Sequence, residues 1–288
     1  MDHQAVSELL TKWEIPIPST IALVLVAIIY VVGWYRAQKT RPTELPRWRC
    51  AVFISGIVAI FVAISSPLDT LNESLLFMHM AQHFVLMSIA PPLIALGSPA
   101  VPLLRGTPRL VIKGLRPLFR SRHIHLLLRH SQRKIVAWLC MNVAYIGWHI
   151  PTAYEQALKS ETWHNVEHVS FLFASLLFWW PVVCPWPSQR RGSPFILIPY
   201  LVLADVVNTA LSAFLCFSGR VLYPSYEETG RPLGLSALTD QVASGALMWV
   251  FGSLAFLMPL AGLFLQWLMP AAVPDQDCRI VCEDEGVG

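Results

Sequence analysis

The sequence predicts an all-α, polytopic membrane bundle of about seven transmembrane helices, with the N-terminus outside and the C-terminus cytoplasmic. Three observations predict it: a composition too apolar for a water-soluble core, seven long apolar runs, and a one-sided distribution of basic residues. Of the 288 residues, 55% are hydrophobic and 14% charged, against about a quarter charged in ordinary soluble domains. A chain of this length cannot fold so much apolar surface away from water, and lipid must cover it.

A helix needs roughly 20 apolar residues to cross the hydrocarbon core. The runs are Ile17–Tyr35, Cys50–Ser65, Leu75–Leu96, Ile135–Ile150, His164–Val183, Phe195–Phe217 and Gln241–Met269, of which the second and fourth are short. Pro91-Pro92 and Pro259 interrupt two of them, which membrane helices tolerate where neighbours re-satisfy the freed backbone groups. The first run lacks the basic start and small-residue cleavage site of a signal peptide, so it is expected to be a retained helix. Residues 1–270 are expected to form one transmembrane domain and residues 271–288 an acidic, disordered cytoplasmic tail. Gly97–Arg133 is the only sizeable loop. Six scattered cysteines do not form a disulfide framework, and the Cys278/Cys282 pair amid acids is an incomplete metal-ligand set.

Alternating the runs sorts the connections onto two sides. One side holds 17 of the 21 basic residues, nine of them between Arg105 and Lys134; the other holds only Lys12, Lys159, Arg220 and Arg231. Short basic loops stay cytoplasmic, which sets the orientation. The same rule accounts for the basic Gly97–Arg133 loop: it determines topology and meets anionic lipid, and no nucleic-acid partner is implied.

Five histidines then fall at or just below the outer surface. His79 and His83 are spaced i, i+4 at the start of the third run, His149 ends the fourth, and His164 and His168 repeat the i, i+4 spacing at the start of the fifth. Such a pair projects from one helix face and can grip one ion, so two pairs and a fifth imidazole make a candidate metal site. Each histidine alone would be an interfacial side chain with its polar tip in water. All five at one face favour the site. His123, His125 and His130, in the basic loop, do not share it. Imidazole binds copper, zinc, iron and nickel, and thioethers shift the preference toward Cu(I). Met80, beside His79, and Met248, in the seventh run, are accessory candidates, although methionine is also ordinary apolar filling. Glu167, three residues after His164, can orient an imidazole from behind.

Asp205 lies near the middle of the sixth run, the one acid at that depth, with Asn208, Thr209, Ser212 and Cys216 continuing a polar stripe from it. A carboxylate there either handles ions or protons or hydrogen-bonds a neighbouring helix. Asp240 opens the seventh run as a further accessory candidate, with Gly245 behind it as a close-packing residue.

Together, Leu76-Phe-Met-His79-Met-Ala-Gln-His83, Trp148-His149-Ile-Pro-x-x-Tyr154, Trp163-His164-x-x-Glu167-His168, Phe178-Trp-Trp-Pro-Val182 and Asp240-Gln241-x-x-x-Gly245-x-x-Met248-Trp249 resemble the CtaG family of multi-spanning assembly factors of caa3-type cytochrome c oxidase. The resemblance runs from about the second run to the seventh. It implies a protein of the bacterial plasma membrane that matures haem-copper oxidases by handling copper for the CuB centre of subunit I. The resemblance, not the spacing, selects copper. On this reading the partners are oxidase subunit I and soluble copper chaperones. The residues alone also admit a haem-binding redox protein, with imidazoles from two helices on iron, or a cation or proton transporter using Asp205. No nucleophile–base pair, phosphate loop or hydrolytic motif is visible, and no catalysis is expected.

Overall fold

The computed structural model describes residues 12–122, 133–188, 193–228 and 234–268, and every regular element among them is helical. The main helices are α1 (Ile17–Gln38), α2 (Arg47–Ser65), α3 (Leu76–Leu96), α4 (Ala100–Gly106), α5 (Arg109–Arg120), α6 (Lys134–His149), α7 (Pro151–Leu158), α8 (Glu161–Val183), α9 (Leu197–Phe217) and α10 (Ala237–Leu268). Six of them, α1, α2, α3, α8, α9 and α10, are long and apolar enough to cross a membrane. α6 has 16 residues and, at about 1.5 Å per residue, falls short of that length. Outward faces carry exposed Val24, Ile28, Val206, Phe214, Phe251 and Leu254, as lipid-facing surfaces do. The acidic tail with Cys278 and Cys282, and His123, His125 and His130, lie outside the described residues.

The segment expected to be a single loop, Gly97–Arg133, is itself largely helical where it is described. α5 is too charged for a span, with Arg109, Lys113 and Arg116 along it, yet exposes Leu110 and Val111, the pattern of a helix lying in a membrane interface. α4 packs across the inner half of α1, where Gly33 and Gly106 meet. A Cβ on Gly33 would overlap the Pro102 carbonyl, and one on Gly106 the Ile29 carbonyl. Reciprocal bonds from Arg36 to the Arg105 carbonyl (3.0 Å) and from Arg105 to Thr40 (2.6 Å) tie the same two helices at their ends.

Five helices close a ring: α3 packs on α10, α10 on α9, α9 on α6, α6 on α8, and α8 returns to α3. α2 lies outside the ring against α3, and α1 lies beyond it. The start of α3, the end of α6, the start of α8, the end of α9 and the start of α10 therefore share one end of the ring. All five candidate histidines are found there.

Two prolines explain how α3 is held. Pro67 has no N–H, so the Ala63 carbonyl four residues earlier loses its helical partner; Gln82 of α3 donates to it at 2.9 Å. Pro91 likewise frees the Met87 carbonyl, and the Trp179 indole of α8 donates to that at 2.9 Å. The strain of Pro91-Pro92 is taken up by a π-turn at Val85–Ile89, a common accommodation near functional sites. At the start of α3 no side chain of its own caps the helix. Asp240 of α10 does so instead, accepting from the backbone N–H groups of Leu76 (2.7 Å) and Phe77 (3.1 Å).

α9 and α10 share the most extensive helix–helix contact among the described residues. A Cβ on Gly245 would come within 2.7 Å of Cys216 Sγ and 2.9 Å of the Ser212 carbonyl oxygen, so this glycine is the close-packing residue the sequence suggested. Gly262, on the same helix, has open space around it. Overpacking a well-packed contact costs about 1–3 kcal/mol. Gly245→Val is therefore expected to lower the thermal stability of the detergent-solubilised protein clearly, and Gly262→Val to leave it near the parent value. Equal effects would disprove the tight seam.

Candidate metal centre

Local rules place each ligand-capable side chain. The i, i+4 spacing puts His79 and His83 on one face of the first turns of α3, and His164 and His168 on one face of α8. α6 must stop before Pro151, because a residue preceding proline disfavours the helical region; Ile150 is extended, with ψ 126°. His149 is thereby left at the helix end, turned inward and 5% exposed. The three helices bring all five rings together. Ring centroids lie 4.2 Å apart for His79–His83, 4.1 Å for His164–His168, 5.3 Å for His79–His164, 5.5 Å for His83–His168 and 6.4 Å for His83–His149.

Glu167 sits within this cluster rather than behind it. Its carboxylate is fully buried and reaches His79 Nε2 and His83 Nε2, each at 3.6 Å. Donor atoms of His79, His164 and His168 lie within 4.8 Å of one another, as do those of His79, His83 and Glu167. His79 belongs to both groups.

Most of the polar atoms that face the cluster have no hydrogen-bond partner in the protein. Both ring nitrogens of His79 and His83, Nε2 of His149, His164 and His168, and both oxygens of Glu167 are buried and make no hydrogen bond. An unsatisfied buried polar group costs about 1–3 kcal/mol, and more when charged, so nine such atoms in one place are not tolerable as mere packing. A cation taking one lone pair from each of several of these side chains would answer part of that cost. The donors, imidazoles with one carboxylate, suit a first-row transition metal and not calcium or magnesium, which take oxygen ligands. His149 is preset for this role. Its Nδ1 lies 2.7 Å from the Tyr145 carbonyl oxygen, which only accepts, so the ring proton resides on Nδ1 and Nε2 keeps a free lone pair.

Tyrosines that sequence reasoning passed over close the site. The Tyr154 ring of α7 lies 5.0 Å from His79, its hydroxyl 3.1 Å from that of Tyr226. Tyr226 donates to the Asn72 carbonyl (2.8 Å) and Tyr223 to the His149 carbonyl (3.0 Å). Burial raises the pKa of both loop tyrosines well above the ordinary phenol value, so they remain protonated donors. Beside these tyrosines lies an open recess of about 500 Å³, lined by Glu14, Asp69, Glu73, Glu161 and one base, Lys12, together with His164, the least buried of the five.

The accessory candidates divide. Met80 and Met248 are buried next to the cluster, on the wall of an adjoining cavity. Asp240 is committed to the two N–H groups that start α3. Asp205 stands half-buried on α9, its Oδ1 without a hydrogen bond. The stripe continuing from it turns toward α10: Asn208 donates to the Met248 carbonyl and Cys216 to the Val242 carbonyl.

A family model described as "Cytochrome c oxidase caa3 assembly factor (Caa3_CtaG)" matches residues 28–269. Among relatives, the uncharacterized proteins Mb0105 of Mycobacterium bovis and MT0111 of Mycobacterium tuberculosis are each 24% identical over 97% of this chain. ML1998 of Mycobacterium leprae is 24% identical over 96% of it. The chain spans only 41–42% of these longer proteins. No solved structure matches it. With the family model covering the whole helical ring, the chain belongs to the cytochrome c oxidase caa3 assembly factors.

Proposed function

We propose that this protein carries copper as cargo for a haem-copper oxidase, holding the ion among His79, His83, His164, His168 and Glu167, with His149 beside them, and releasing it to the CuB site of subunit I. One observation carries the reading: seven ring nitrogens of five histidines and both carboxylate oxygens of Glu167 are buried close together and make no hydrogen bond. The chemistry is ligand exchange rather than catalysis. A Cu(I) ion held by two or three imidazoles keeps an open position, through which a histidine of the acceptor can displace one donor at a time. The acidic recess beside His164 gives a cation an attractive aqueous approach. Haem fits less well, because the rings already pack on one another and on Tyr154 and Phe171, leaving no slot for a flat macrocycle.

The orientation belongs to the same reading. α6 completes the ring and is taken as a seventh crossing, which puts the N-terminus and the histidine end outside and the basic connections inside. A reporter at the C-terminus is then expected to be active only in the cytoplasm, and one inserted within α7 only outside. The reverse pattern would overturn the seven-helix count.

Copper content tests the ligands. His79→Ala and His168→Ala are each expected to lower bound copper at least about tenfold, the scale of ligand-shell losses, and Glu167→Gln to lower it without unfolding the protein. Unchanged copper in both histidine variants and their double variant would exclude these residues. The role is read in the recipient. Oxidase purified from a strain lacking the protein is expected to contain normal haem but depleted copper, partly restored by copper in the medium through mass action. A normal copper-to-haem ratio with normal activity would end the delivery reading, and loss of haem would favour haem handling instead.

A further inference from the structure

Inside the five-helix ring, next to the histidine cluster, lies a second and chemically different space. It is narrow, with about 40 Å³ open to water-sized centres. Met80 and Met87 of α3, Met141 of α6 and Met248 of α10 line it, half of the chain's eight methionines, and none is more than 6% exposed. His83 and His149 complete the wall from the side of the cluster. The amides of Asn142 and Asn208 and the Tyr145 hydroxyl, also on the wall, all make hydrogen bonds. The ring nitrogens of His83 and Nε2 of His149 do not.

Apolar filling does not account for this arrangement. Methionine is the most adaptable of the large apolar side chains and the one best able to collapse into a gap, yet here four of them surround a gap. The volume restricts what could occupy it. A cavity needs roughly 10–15 Å³ on this measure to hold one water, so this one takes a single ion with a water or two, and neither a quinone nor a haem. The donors restrict it further. Thioethers with imidazole are soft, neutral ligands that select Cu(I). Surroundings this apolar also disfavour divalent ions, since the cost of burying an ion rises steeply with its charge.

We infer that the methionine chamber is a second, soft-metal position that takes monovalent Cu(I), with His83 shared between it and the outer histidine–glutamate cage. The inference rests on the copper reading above and adds to it a place within the membrane where the ion is held by sulfur. Met87 is fixed by the Trp179 bond to its own carbonyl. Met141 already accepts the Ser175 hydroxyl on sulfur at 3.2 Å and has one lone pair left. Met80, Met87 and Met248 are therefore the principal thioether donors. The transfer involves no redox step: Cu(I) enters the cage and exchanges imidazole donors for thioether donors by way of His83.

The test uses the full chain in lipid nanodiscs, kept anaerobic, with Cu(I) and, as a redox-inert probe, Ag(I). X-ray absorption of the Cu(I)-loaded protein is expected to show a sulfur shell beside the nitrogen shell. Met87→Leu/Met248→Leu, a volume-conserving pair, should lose the sulfur shell and bind Ag(I) at least about tenfold more weakly. It should still bind Zn(II) in the cage as the parent does, and Met78→Leu, off the chamber wall, should change neither. The sulfur shell is read in the unaltered protein, so misfolding of a variant cannot conceal it. A nitrogen-only shell, or unchanged Ag(I) affinity in the double variant, would overturn the chamber and leave the cage standing. Failure of the parent protein to bind Cu(I), Ag(I) or Zn(II) at all would overturn both.

Discussion

Hydrocarbon offers no hydrogen bonds, so a carbonyl orphaned within a span must find its donor on another helix. In this protein that constraint locates α3. Pro67 frees the Ala63 carbonyl and Gln82 answers it; Pro91 frees the Met87 carbonyl and Trp179 answers it. With Asp240 capping the start, α3 is fixed in height and rotation against α2, α8 and α10 at three separate levels. Those three bonds set where His79 and His83 point. The rest of the site is assembled around them.

The site itself is expensive to the fold. Desolvated ring nitrogens and carboxylate oxygens that lack hydrogen bonds destabilise the fold, and the surrounding structure supplies the compensation. Aromatic packing of Tyr30 on Phe53 (3.6 Å), Phe178 on Tyr200 (4.7 Å) and Trp179 on Phe256 (6.1 Å) lies away from the histidine end. That separation is what the proposed role as a cargo carrier requires. The packing that must stay rigid is apolar and interlocked, whereas the histidine–glutamate cluster is polar and largely unsatisfied by protein.

Much of this was legible in the sequence. The apolar runs located the long helices, and the i, i+4 histidine pairs marked the rings that the fold brings together, because both are periodic signals. Glu167 was legible only as a helper, since spacing within α8 cannot reveal that α3 brings two imidazoles to its carboxylate. α4 and α5 were hidden in what read as a loop, because α4 is only seven residues long and the charge of α5 removes the uniform apolarity by which spans are recognised. Tyr223 and Tyr226 carry no periodicity at all and act only through a fold-dependent contact with His149 and Asn72. The methionine chamber could have been suspected: His79, His83 and Met87 repeat every four residues, as do Met141, Tyr145 and His149. Both stripes are inconspicuous until the ring sets them face to face.

The shortness of α6 has a consequence for the depth at which the proposed metal would sit. Sixteen residues make a rod of about 24 Å, against roughly 30 Å of hydrocarbon. Taken as a crossing, such a helix produces hydrophobic mismatch, which a bilayer relieves by thinning or by drawing the polar flank of the helix inward. His149 is the last residue of that helix and α7 follows at once. On the proposed reading, the histidine end would be drawn beneath the level of the headgroups, and an ion held there would lie at a depth that a buried acceptor in a neighbouring membrane protein can share.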